Sequence, residues 1–297
     1  MTSPEVKNVI GCRGRYTIST DKRGVLAEFD NLITNNGMNR LGETGDVFNF
    51  CFVGTGNTPP AFTDTALANK IATNSASISG NPTATTVFPY TSTSTFNYPF
   101  ALGEVVGNIS EVGTGWRISE SNYGLASRAL ILDQNGLPTT ITVLADEILQ
   151  VQYKFEQIIN ADDVTGTVVF TGNKGGTFDW TSRPGHVGDN YYWGYIFGYR
   201  TASYNNASVF STALGTIFEH PANASGNLTS AYIRPYVTDS YTSIIDVVLA
   251  PGTGAYNLRS VVTRFGNTFY QTEFTPPIPK TAADQVVITF SLSWARA

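Results

Sequence analysis

The chain has 297 residues, 41% of them apolar and only 14% charged, with a net charge of −5 and a pI near 5.0. The apolar fraction supports a sizeable core and excludes a disordered chain, and the 18 scattered Lys and Arg exclude a clustered phosphate-tracking surface. No apolar run approaches the roughly 18 residues that cross a bilayer as a helix.

Charge this sparse, against about 25% in an average soluble domain, leaves Ser, Thr, Asn and Gly to cover the outside. That pattern is commoner in virion, secreted and adhesive β proteins than in cytoplasmic enzymes. The 28 Gly and 14 Pro suit short strands joined by tight turns.

Residues 1–14 are polar and punctuated by glycine, which reads as an arm. The opening MTSPEVKNVIG has no apolar h-region, so the expectation is a protein made in a cytoplasm without Sec export. Residues 16–19 and 25–29 flank Asp21-Lys22-Arg23-Gly24, a hairpin signature. In DNLITNNGMNRLG, Thr34 caps a short helix that carries Met38 and Leu41 and stops at Gly42. Gly37 costs such a helix about 1 kcal/mol, so packing must hold the turn.

Residues 48–53 read as a buried strand, with Cys51 acting as a small hydrophobe. Cys12 and Cys51 make no disulfide framework; free thiols are favoured over a single bridge. A Pro59-Pro60 turn then leads to a short helical piece capped by Thr63 or Asp64, with Leu67 and Ile71 facing inward. Residues 73–97 are rich in Ser and Thr and read as an exposed excursion or a mucin-like tract. Within them, Val87-Phe88-Pro89-Tyr90 suggests order against a neighbour.

Residues 129–132 and 141–144 are β-prone and separated by a turn at residues 133–138 that contains Asn135-Gly136. Residues 148–155 alternate, with Leu149, Val151, Tyr153 and Phe155 on one face and Gln150, Gln152 and Lys154 on the other. Asn160-Ala161-Asp162-Asp163 is a polar corner and the expected domain boundary. Beyond it, residues 167–171 form a strand that meets the turn at residues 173–176. Further strands fall at residues 231–237, 243–249, 258–265, 268–274 and 286–293. The fold class is therefore all-β, two jelly-roll-like β-sandwich domains with only short helical turns. The arm spans residues 1–14, the first sandwich 15–160 and the second 161–297.

The chemistry-bearing residues point away from catalysis. His186 and His220 sit in loop contexts, and no HExxH or GxSxG occurs. Asp146-Glu147 and Asp162-Asp163 are adjacent pairs, whose side chains diverge in extended chain, and read as turn and strand-start residues. Gly54-Thr55-Gly56 and Gly113-Thr114-Gly115 do not continue to GK[ST] and read as turns. Asp133-Gln134-Asn135-Gly136 reads as a hairpin rather than a calcium loop. The expectation is no enzyme, no cofactor and no metal. One aromatic patch, Asp189, Asn190, Tyr191, Tyr192, Trp193 and Tyr195, has two readings: buried core or subunit interface, or contact with a glycan.

DNLITNNGMNRLG, FNFCFVGTGNTPPAFTDTALANKI and GNISEVGTGW with SRALILDQNGLPTTITVLADEILQVQYKFE resemble structural proteins of tailed-bacteriophage tails. The resemblance covers residues 28–170, and the closing VVITFSLSWARA is similar to how such chains end. It implies a homo-oligomeric tail, collar or tail-fibre-associated protein, a trimer or higher ring, assembled in the bacterial host cytoplasm. Its partners would be copies of itself and other virion tail or connector proteins. Nucleic acid and membrane insertion are not expected. Two alternatives are a host-glycan receptor-binding module, acting through residues 172–285, and a capsid decoration or head-fibre protein.

Overall fold

The computed structural model describes residues 5–43, 46–78, 83–85, 87, 90–170, 175–187, 207–217, 219–222, 230–266 and 268–297. The fold is nearly all β, of sandwich type, with one short helix among the described residues.

The first half of the chain contains β1 (Glu5–Thr20), β2 (Gly24–Asp30), β3 (Leu32–Ile33), α1 (Asn35–Arg40), β4 (Phe50–Gly54) and β5 (Lys70–Ser75). These are followed by β6 (Ser77–Ile78), β7 (Thr83–Ala84), β8 (Thr91–Pro99), β9 (Gly107–Ile109), β10 (Glu111–Arg117), β11 (Tyr123–Leu130), β12 (Ile141–Val143) and β13 (Leu149–Ile159). The second half contains β14 (Val164–Phe170), β15 (Gly176–Val187), β16 (Ala207–Phe210) and β17 (Ser230–Ile233). It closes with β18 (Thr242–Leu249), β19 (Tyr256–Phe265), β20 (Thr268–Lys280) and β21 (Val286–Arg296).

Among the described residues these strands form four sheets. The long sheet runs β17-β18-β21-β1-β13-β8-β6, with β2 also on β1 and β7 on β8. A second sheet is ordered β3-β11-β10-β4-β5, a third β14-β15-β20-β19-β16, and β12 pairs with β9 alone.

β1 is the axis of the long sheet. Residues 10–20 pair antiparallel with β13, and residues 5–12 pair parallel with β21 on the other side. Residues 5–14, expected as an arm, are thus strand, because their alternation places Val6, Ile10 and Cys12 on the buried face. The boundary expected at residues 160–163 is crossed by this pairing, and buried apolar residues from both halves belong to one continuous core.

The inward row of β13 is the one its alternation predicts: Leu149, Val151, Tyr153 and Phe155 are all about 1% exposed or less. Each such side chain contributes roughly 1.5–3 kcal/mol on burial. Tyr153 and Phe155 pack on Phe48, with ring centroids 4.9 and 5.1 Å apart. Tyr16 ties the long sheet to the second one, its hydroxyl 2.6 Å from Ser127 Oγ. Trp294 on β21 ties the long sheet to α1, donating from Nε1 to Met38 O at 2.9 Å.

Several expected turns are present. β1 and β2 form the hairpin around residues 21–23, with Gly24 at φ 71°. Thr34 caps α1, accepting from Gly37 N at 3.0 Å. Gly37 is required there: a Cβ would overlap the carbonyl oxygen of Ala126 on β11. The turn after β11 is an Asx turn, in which Asp133 accepts from the backbone of Asn135 and Leu137. β12 nevertheless pairs with β9, not β11.

Two local readings are corrected. Residues 63–71 form no helix, because Asp64 is drawn to Arg128 and Ile71 is exposed at the start of β5. The excursion at residues 73–97 is strand at both ends, in β5 and β8, with Phe96 buried against Phe48.

Candidate functional site

The aromatic patch Asp189, Asn190, Tyr191, Tyr192, Trp193 and Tyr195 lies outside the described residues. The chemistry that can be placed includes two clamped carboxylates, a set of buried hydroxyls and thiols, and a cleft beside the end of β13.

Glu111 opens β10 and is fully buried. Its Oε1 accepts from Gly56 N at 3.0 Å and Asn69 N at 2.7 Å, and its Oε2 from Ala68 N at 3.0 Å. Arg128, 2% exposed on the neighbouring β11, adds Nε and Nη2 to the same Oε2. Its Nη1 donates to Asp64 Oδ2 at 2.6 Å, and Nη2 also donates to Thr58 O at 2.9 Å. Gly54-Thr55-Gly56 is therefore a loop folded around a carboxylate of the chain itself. A Cβ on Gly54 would stand 2.6 Å from Glu111 Oε1. This network is saturated, so it braces loops 55–69 against β10 and β11. Gly113-Thr114-Gly115, expected as a turn, lies inside β10.

Glu147, 1% exposed at its side chain, accepts from Arg23 Nη2 at 2.6 Å and from Leu144 N at 2.9 Å. The Arg23 guanidinium holds its pKa down to about 2, well below the ordinary carboxylate value. Asp146 beside it pairs with Lys22 at the surface. Sequence reading placed the pair as turn and strand-start residues and missed the burial of Glu147. Arg23 in the tip of the first hairpin was the available signal.

Cys12 and Cys51 are free and buried, and burial pushes both thiols well above their usual range. Burial does the same to the Tyr16 phenol. His186 lies on β15 rather than in a loop, and His220 is exposed, edge-on to Phe269 at 5.4 Å. Among the described residues, no group of three or more His, Cys, Asp or Glu is placed to hold a metal.

The cleft, of about 730 Å³, opens where β13 ends at Ile159 while β1 continues toward Glu5. Asn8, Ile10, Ile159, Ser182, Pro184 and Tyr270 are among its lining residues. Lys7 and Asp162 stand at its exposed rim, and Arg183 borders it. Comparison with protein families, with curated proteins and with solved structures gives no match.

Proposed function

We propose that this chain is a non-enzymatic structural component of a bacteriophage virion, a homo-oligomeric tail, collar or tail-fibre-associated protein. The observation that carries the reading is the state of its buried ionisable groups. Glu111 is held by Arg128 and by three backbone N–H groups, and Glu147 by Arg23 and Leu144 N, which keep the Glu147 pKa down at about 2. Cys12, Cys51 and Tyr16 are held protonated by burial. These groups lock strands and loops, and Glu147, Cys12, Cys51 and Tyr16 are all shifted away from the range in which a proton is exchanged near neutrality. The resemblance of residues 28–170 to tail proteins and the sparsely charged exterior point the same way.

Such a part works by repetition, since weak contacts around a trimer or ring combine into a durable joint. Its partners are copies of itself and adjoining tail or connector proteins. The test is to locate the protein on intact particles by cryo-microscopy and to measure its mass in solution by analytical ultracentrifugation. A multimer seen in the tail supports the reading. A monomer absent from particles overturns it. A second reading, a receptor-binding module for host glycan, is favoured by the cleft at the end of β13.

A further inference from the structure

On β4, Cys51 and Val53 face the main core, while Phe52 between them joins a separate cluster on the outer side of the second sheet. There Tyr123 meets Phe50 and Phe52 edge-on, with ring centroids 5.2 and 5.4 Å apart. Lys70 Nζ lies 4.8 Å from the Tyr123 ring centroid, and the Arg117 guanidinium 5.0 Å from that of Phe50. Both cations are exposed, and neither pairs with a carboxylate among the described residues. Glu120, in the turn after β10, pairs with neither, so the patch keeps a surplus of positive charge. Ile71 and Ile118 beside it are 46% and 60% exposed. A dimple of about 140 Å³ opens between Phe52, Leu67, Lys70 and Tyr123.

The opposite sign stands at the other end of the same run of strand. Only Ser110 separates β9 from β10; Val106 leads into β9 and Ile118 leaves β10. Val106 is exposed, and so is Leu144, its neighbour across the ladder in which Gly107 faces Val143. Just before them a turn at residues 101–104 holds Leu102 out to solvent, 62% exposed, with Gly103 at φ 76°. Glu104 closes that turn, accepting from Ala101 N at 2.8 Å, and makes no ion pair among the described residues. The length of β10 alone is roughly 20 Å, which keeps this turn and the ring cluster apart within one copy.

Apolar side chains gathered beside unpaired charge mark a contact surface, and the sign of the charge selects the surface it meets. We propose that copies of this chain join head to tail, with Leu102 of one copy entering the dimple of the next and Glu104 facing its Lys70 and Arg117. The inference rests on the homo-oligomeric reading above and adds the two surfaces that meet. Because those surfaces differ, the contact is heterologous: it closes into a ring if the rotation per copy closes, and otherwise runs on as a filament.

Analytical ultracentrifugation of the full chain over a range of concentrations tests it. Wild type is expected as a multimer. Leu102→Asp and Glu104→Lys should each raise the dissociation constant by about tenfold or more. Adding Lys70→Glu and Arg117→Glu to Glu104→Lys should restore the wild-type mass, because the charges are then exchanged rather than lost. Thermal melts confirm that each variant is folded; Leu102→Asp leaves the Glu104 hydrogen bond in place and keeps the test valid if Glu104→Lys disturbs the turn. A multimer unchanged by Leu102→Asp or by Glu104→Lys, or a charge-exchanged variant that stays dissociated, overturns this contact and leaves the oligomeric reading standing. A wild type that is monomeric at every concentration overturns both.

Discussion

Arg128 places two guanidinium nitrogens on one oxygen of Glu111, at 2.8 and 3.1 Å, and leaves the other oxygen to the backbone of Gly56 and Asn69. The carboxylate is thus divided between a neighbouring strand and a loop 42 to 55 residues earlier in the chain.

Removing the cation should strand a buried negative charge. Arg128→Met is expected to destabilise the fold by about 3–5 kcal/mol, read as a lower urea midpoint. Adding Glu111→Gln should recover part of the loss, because a neutral amide oxygen still accepts from Gly56 and Asn69. A double variant no better than the single one would contradict the charge argument.

Gly37 should not tolerate even a methyl group. Alanine normally favours a helix by about 1 kcal/mol over glycine, yet here its Cβ would meet Ala126 O. Gly37→Ala should cost about 1–3 kcal/mol, whereas Asn36→Ala, exposed on the same helix, should be near neutral. Thermal melts of the two variants make the comparison.

Acid should weaken the clamp on Glu147. Its folded pKa, about 2, lies below the ordinary value of 4.5, so the stabilisation is complete above pH 4.5 and fades as pH falls through 2. The difference in melting temperature between wild type and Glu147→Gln should therefore shrink from pH 6 toward about pH 2. A constant difference across that window would show that Arg23 does not set the pKa.

The two thiols should be silent in the native protein. With Cys12 and Cys51 buried and protonated, Ellman's reagent should react with neither until urea unfolds the chain, and then with both. Rapid native reaction would mean that the β1 or β4 region opens.

What the sequence made legible was local. Thr34 as a cap, the turn before Gly24, the Asx turn at Asp133 and the alternation of β13 each depend on a few neighbouring residues, and each is present. Partner choice was not legible. Nothing near residues 141–143 says that they pair with β9, and nothing near Glu5 announces β21. The helical reading of residues 63–71 failed because Asp64 serves Arg128, a long-range demand that outweighs a local cap. Asn8 stands at an inward position of β1 between the apolar Val6 and Ile10. That becomes visible only once residues 5–14 are read as strand.

The parallel seam between β1 and β21 also sets the order of events during synthesis. Ser291 donates to Glu5 across 286 residues, so at 5–20 residues per second that neighbour of β1 emerges about 15–60 s after β1 itself. For that interval one flank of the sheet's central strand stays open on the ribosome, where the same strand of another nascent copy can compete for it. Crowded polysomes should therefore favour tangled products, and slow, dilute expression should favour the closed sheet.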